Sequence, residues 1–172
     1  MSEITALVLG GVPITPSSGP IRQRYEPIGG SGVLRMADGT GYKQTHWRKA
    51  RIISSGSGPL DPGLEQLDYS GPLELWCVKP LAVSGTALAY ELPPAAKRRP
   101  DVAPWAWAQI GDGWVETPLS VLDDIVTVVA VPGASRYRVS WLPRYEVLTD
   151  GVIGDFDESS GRYDWSLDAG ER

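Results

Sequence analysis

The chain has 172 residues, with Lys plus Arg at 16 and Asp plus Glu at 21, a net charge of −5. That length suits one domain, or one domain with an arm. An acidic balance argues against a general nucleic-acid binder, which needs many cations to displace counterions from phosphates, and against docking on an anionic lipid surface. The 20 glycines and 15 prolines disfavour a helical bundle, while 42% hydrophobic residues suffice for a real core and argue against full disorder.

Ile4 to Leu9 is the first strand candidate, and Gly10-Gly11 provides a tight reversal from which Val12 to Thr15 pairs back. No basic leader region precedes it, and no apolar run approaches the roughly 20 residues of a membrane helix, so no membrane insertion is expected. A polar stretch with Gly29, Gly30 and Gly32 leads through Val33–Met36 to Asp38-Gly39. Asp-Gly recurs at Asp112-Gly113 and Asp150-Gly151, and in a chain without asparagine it is the natural signal for a two-residue hairpin turn.

Tyr42 to Ile53 is the longest extended candidate, and neither of its alternating faces is cleanly apolar. Such a strand suits a sheet wetted on both sides or one that meets a partner chain. It carries a basic stripe: Lys43, His46, Arg48, Lys49 and Arg51. Ser54–Pro62 reads as loop, and Asp61 with Pro62 predicts one helical turn to Leu67. Leu73–Val78 and Thr86–Leu92 read as strands, and Ala95–Pro104, with Lys97, Arg98 and Arg99, as an exposed loop. Leu119–Asp124 reads as a short helical turn. Ile125–Val131 is β-branched almost throughout, as in a strand buried on both faces. Arg136–Trp141 alternates, with Tyr137, Val139 and Trp141 turned one way, and Tyr145–Leu148 continues it beyond a bend at Pro143.

The expected fold is therefore all-β, mainly antiparallel, a sandwich or barrel with short helical turns. From Asp150 the composition turns acidic, with seven carboxylates against Arg162 and Arg172. Residues 1–149 read as the β-rich domain and 150–172 as an acidic C-terminal arm. An apolar anchor, Tyr163 and Trp165, would pack that arm on its own domain or on a neighbour.

Catalytic constellations fail on spacing. Cys77 is the single cysteine and His46 the single histidine, and a cysteine following Trp76 in a strand is ordinarily a small core hydrophobe. Neither Ser31 nor Ser57 sits in a nucleophile elbow, and Gly30-Ser31-Gly32 lacks the third glycine of a phosphate cradle. The run Asp155–Gly161 begins like a calcium loop, but its sixth and twelfth positions are Ser160 and Ser166. Asp123 and Asp124 are adjacent and point apart on a strand, which does not suit paired-carboxylate hydrolysis. No cofactor, metal site or enzymatic activity is expected. The informative side chains are seven Trp and seven Tyr against one Phe, because polar-tipped aromatics favour half-wet sites and interfaces. Trp105 and Trp107 share strand parity, as a sugar-stacking platform would require or as an interface would use.

The runs Leu34–Gly39, Lys43–Arg51, Ile53–Gly58, Pro62–Glu65, Tyr137–Arg144 and Tyr163–Leu167 together resemble small tail proteins of tailed phages or prophages, of the distal-tail or baseplate type. That resemblance implies a β-rich subunit made in the host cytoplasm and carried in the virion tail. It also implies a homo-oligomeric ring that contacts tail-tube, hub or fibre proteins. The interface residues expected on this reading are Lys43, Arg48, Lys49 and Arg51, whose charge suits an acidic neighbour, together with Trp105, Trp107, Tyr163 and Trp165. The alternative is a carbohydrate-binding module that touches a host-surface glycan through Trp and Tyr.

Overall fold

The computed structural model describes residues 5–172. In chain order the strands are β1 (Leu7–Leu9), β2 (Val12–Ile14), β3 (Arg22–Arg35), β4 (Gly41–Gly58), β5 (Leu73–Trp76), β6 (Leu81–Gly85), β7 (Ala89–Glu91) and β8 (Trp105–Ile110). They continue with β9 (Gly113–Thr117), β10 (Leu119–Leu122), β11 (Ile125–Val128), β12 (Arg136–Trp141), β13 (Arg144–Leu148), β14 (Val152–Asp157) and β15 (Arg162–Glu171). Two short 3₁₀ turns, Pro16–Ser18 and Ala95–Lys97, complete an all-β fold. Every strand pairing resolved in register is antiparallel.

The chain divides into two compact units: residues 5–75 with 146–172, and residues 76–145. The division expected at 149/150 is not the one the contacts draw. Residues 150–172 do not form an arm; they supply β14 and β15, and β15 lies between β13 and β4 inside the large sheet. The reason is on its alternate positions: Trp165, Leu167 and Ala169 are buried, while Asp164 and Asp168 occupy the other face.

The first unit is an eight-stranded sheet in the order β2-β1-β5-β13-β15-β4-β3, with β14 also paired to β15. Gly10 and Gly11, both at positive φ (56° and 83°), form the turn that pairs Leu9 with Val12, as read from the sequence. Of the first strand candidate, Ile4 lies outside the described residues. The stretch 54–58 is not loop but the end of β4. Its glycines are required by close approach: a Cβ on Gly56 would lie 2.8 Å from the Trp165 indole, and one on Gly58 2.3 Å from the Ser17 carbonyl oxygen. Asp61 accepts the Gly63 N–H (2.8 Å), yet a turn rather than a helix follows it.

The Asp150-Gly151 signal does not reverse the chain. Leu148 pairs with Gly170 and Val152 with Leu167, so β13 and β14 run on along one side of β15 with one extra residue between them. That is a bulge. Thr149 Oγ1 donates to the Asp168 carbonyl oxygen at 2.8 Å within it.

The second unit is a sandwich of a four-stranded sheet, β6-β12-β8-β9, and a three-stranded sheet, β10-β11-β7. Tyr137, Val139, Trp141, Ala106 and Ala108 from the first meet Tyr90, Val126 and Val128 from the second, with Leu92 just beyond β7. The alternation expected at Arg136–Trp141 is present. Residues 125–128 alternate too, and are not buried on both faces, because the three-stranded sheet has water on its outer side. The expected helical turn at 119–124 is instead β10 and its reversal. Leu122 pairs with Ile125, and Asp123 and Asp124 sit between them at φ 48° and 66°. Aspartate is among the few side-chain-bearing residues that tolerate this left-handed region. The Asp112-Gly113 signal is displaced by one: Ile110 pairs with Gly113, and Gly111 (φ 59°) with Asp112 makes the turn.

Candidate interaction surfaces

The β3–β4 hairpin is longer than the sheet it belongs to. β15 pairs with β4 from Gly58 back to Arg51, and beyond that point β4 has only β3 beside it. Every residue from 31 to 48 is exposed. The overhang includes large apolar side chains, Leu34 at 55%, Tyr42 at 59% and Trp47 at 51% exposure. A two-stranded ribbon is marginal on its own in water, and it gains little from leaving such groups wet.

The basic stripe is not one face. Gly30 pairs with Trp47 and Ser31 with Thr45, so His46 has no opposite number and the alternation of β4 slips by one there. Lys43 and Arg48, opposite Val33 and Gly29, consequently fall on one face, and Lys49 and Arg51, opposite Ile28 and Glu26, on the other. Leu34 and Tyr42 face each other across the ribbon on the side of Lys49. A strict period of two, read through residue 46, assigns Lys43 to the wrong side.

Lys49 and Arg51 already have partners within the chain. Arg51 grips Asp168 with two N–H groups, one at 2.8 Å, and stands 3.6 Å from Glu26. This pairing raises the guanidinium pKa and holds the Asp168 carboxyl below its usual range, in each case through the shared hydrogen bonds first. Lys49 Nζ donates to the Arg172 carbonyl oxygen, and the Ala50 N–H donates to Glu171 at 2.9 Å. At these positions the basic strand meets the acidic segment of its own chain, where the sequence reading expected an acidic neighbour. Lys43 and Arg48 make no ion pair among the described residues.

At the other end of the sheet, the β14–β15 hairpin turns through 158–161. Asp157 holds that turn, accepting from the Ser159 N–H (2.9 Å) and from the Ser159 and Ser160 hydroxyls (both 2.7 Å). These bonds lower its pKa to about 2. The calcium-like run is therefore a serine-capped reversal. Asp155 and Asp164 lie directly opposite each other, both exposed and neither in an ion pair among the described residues. Of the two arginines that line a groove with Asp164, Arg162 donates instead to Ser57 and Arg22 makes no ion pair among the described residues. Like charges directly opposed across strands destabilise a sheet.

Of the expected aromatic anchors here, Trp165 is buried at 3% exposure, lies over Gly56 and donates its indole N–H to the Ser18 carbonyl at 2.9 Å. It is a core residue. Tyr163 is half-buried, its ring 4.7 Å from that of Phe156.

In the second unit Trp105 and Trp107 do share a face, opposite to that of the buried Ala106 and Ala108. Trp107 stands across from Arg138 on one side and Glu116 on the other. The Arg138 guanidinium lies 4.9 Å from the centre of the Trp114 ring and donates to Ser84 at 3.1 Å. Trp114 and Arg138 extend the aromatic face beyond the pair read from the sequence. Their signal was the pairing of β8 with both neighbours, which no local pattern carries.

The expected basic loop at 95–104 is not a solvated one. Arg98 and Arg99 are buried at 9% and 4% exposure. Arg98 pairs with Asp124, and Arg99 binds Asp101 through two N–H groups at 2.9 and 2.6 Å and donates to the Cys77 carbonyl at 3.1 Å. Two arginines tie turns together here, and Asp123 and Asp124 are turn residues. Cys77 is fully buried. No cluster of three or more metal-ligating side chains occurs among the described residues.

No family model matches the chain, and no curated protein or solved structure matches it either.

Proposed function

We propose that this chain is a structural subunit, a component of a phage or prophage tail tip or baseplate that assembles into a homo-oligomeric ring and touches other tail proteins. The observation that carries the reading is the overhanging end of the β3–β4 hairpin, exposed on both faces, with Leu34, Tyr42 and Trp47 in water. A monomer has no evident use for such a ribbon, whereas a subunit of a larger assembly buries it against a neighbour. The resemblance of the local sequence runs to tail proteins supplies the kind of assembly. Mass spectrometry of particles induced from the strain that encodes the chain tests this. The reading expects the chain in purified particles at a fixed ratio to the other tail proteins; its absence from intact particles contradicts it.

A second reading has its own observation. Trp105, Trp107, Trp114 and Arg138 share the outer face of the four-stranded sheet, a surface suited to stacking against a sugar ring. Glycan-array binding lost in Trp107→Ala favours a carbohydrate-binding module. An array with no signal leaves the aromatic face to protein contacts.

A further inference from the structure

The large sheet carries opposite charge at its two ends, and neither end is neutralised from within. Beyond Arg51, β4 leaves β15 behind. Its residues 41–48, at about 3.3 Å each, project on the order of 26 Å past the last residue of β15. This projecting end holds Arg35, Lys43 and Arg48 against the single carboxylate of Asp38. The β14–β15 hairpin points the other way along the same sheet, because its turn follows the pairing of Tyr163 with Gly58. It holds Asp155, Asp157, Glu158 and Asp164 against Arg162.

Apolar surface accompanies the charge at each end. On the ribbon face that carries Lys43 and Arg48, Val33 is 61% exposed, while Leu34, Tyr42 and Trp47 lie on the opposite face. Beside the acidic hairpin a groove at the β13–β14 bulge is lined by Ile53, Leu148, Val152 and Ile153, with Asp150 at its rim; Ile153 is 72% exposed. β14 is also an edge strand, paired only with β15 among the described residues. Most telling is the opposition of Asp155 and Asp164. Two carboxylates kept face to face on an exposed surface cost stability unless a cation is brought to them. Among the described cations that make no ion pair, Arg22 lines a groove beside Asp164, whereas Lys43 and Arg48 are at the far end of the same sheet, where no carboxylate pairs with them.

We infer that the projecting β3–β4 hairpin of one copy docks on the acidic β14–β15 face of a second copy, with Lys43 and Arg48 meeting Asp155 and Asp164. Donor and acceptor are different surfaces at opposite ends of one sheet, so the contact is head-to-tail and repeats from copy to copy until a ring closes or a filament grows. This rests on the reading of the chain as a self-assembling subunit, and names the surfaces it uses. Complementary charge of this kind sets register and rate of encounter, and salt weakens it.

The test uses two charge-reversed proteins, Lys43→Glu with Arg48→Glu, and Asp155→Lys with Asp164→Lys. All four positions are exposed, so each variant is expected to keep the wild-type circular dichroism spectrum and melt. Neutral versions (Lys43→Gln with Arg48→Gln, and Asp155→Asn with Asp164→Asn) stand in if either does not. Sedimentation velocity is run over a wide concentration range at about 0.05 M and about 1 M salt. The expected result is that the wild type associates, more weakly at high salt. Each reversed variant alone should lose roughly tenfold or more in association, and the equimolar mixture should recover it. A wild type that associates while both variants behave identically to it overturns this contact and leaves the assembly reading standing. Loss in each variant with no recovery in the mixture overturns the pairing of these two surfaces. A wild type that stays monomeric at every concentration overturns the contact and the self-assembling ring together.

Discussion

Residues 51–58 and 41–48 belong to one unbroken strand, yet they obey different constraints. In 51–58 β4 is paired with β15 throughout and as far as Ser55 with β3 as well, Ile52 and Ser54 are fully buried, and glycine stands where Trp165 or the Ser17–Gly19 backbone comes too close for a side chain. In 41–48 the strand has one partner, every residue is exposed, and tyrosine and tryptophan appear beside lysine and arginine. The division falls where β15 ends, not at a change in β4 itself. Burial is a property of what lies alongside a strand, so one segment can be fixed by its own fold along half its length and left for a partner along the other half.

Substitutions sharpen that contrast, beginning with the buried half. Trp165→Ala removes the indole over Gly56 and its bond to Ser18, and should cost about 3–5 kcal/mol in denaturant unfolding. A cost below about 1 kcal/mol would show that the buried half is not held as described. Next comes a gain. Asp123 sits at φ 48° with no ion pair among the described residues, so Asp123→Gly should stabilise by about 1 kcal/mol in thermal unfolding, whereas Asp123→Val should destabilise. In the projecting half, Leu34→Ser with Tyr42→Ser should change the unfolding free energy of dilute protein by less than about 0.5 kcal/mol while weakening self-association at high concentration. A large loss of monomer stability would place these residues in the fold rather than outside it.

The smallest effect is local. Asp157 is depressed to about 2 in the folded protein by Ser159 and Ser160, against about 3.9 in an unfolded chain. A lowered carboxylate pKa stabilises the folded turn above the unfolded value and loses that contribution as pH falls through the folded one. The 158–161 turn should therefore hold at pH 5 and loosen between about pH 4 and about pH 2. Asp157 carboxyl shifts followed by NMR check this, and a midpoint near 3.9 contradicts it.

What was legible in the sequence was local. Gly10-Gly11, the alternation of Tyr137, Val139 and Trp141, and a long strand from Tyr42 with no clean apolar face each follow from a few adjacent residues, and each is present. What was hidden depended on partners distant in sequence. Residues 54–58 read as loop because serine and glycine usually mean loop, and only the approach of Trp165, more than a hundred residues later, explains them as strand. The acidic segment read as an arm because its carboxylates outnumber its cations, but alternate positions carry Trp165, Leu167 and Ala169 into the buried face. Arg98 and Arg99 read as solvated because arginine usually is, and Asp124, Asp101 and the Cys77 carbonyl make them otherwise. The candidate surface was half legible. Its mixed strand was visible, but the bulge at His46, which sorts Lys43 from Lys49, is a matter of register with β3.

Amide hydrogen exchange along β4, measured in dilute and in concentrated protein, tests the two-halved strand most directly. The account predicts that 51–58 are protected equally at both concentrations, while 41–48 exchange fast when dilute and slow markedly when concentrated. Equal protection of both halves in the dilute protein, or fast exchange of 41–48 at every concentration, would contradict it.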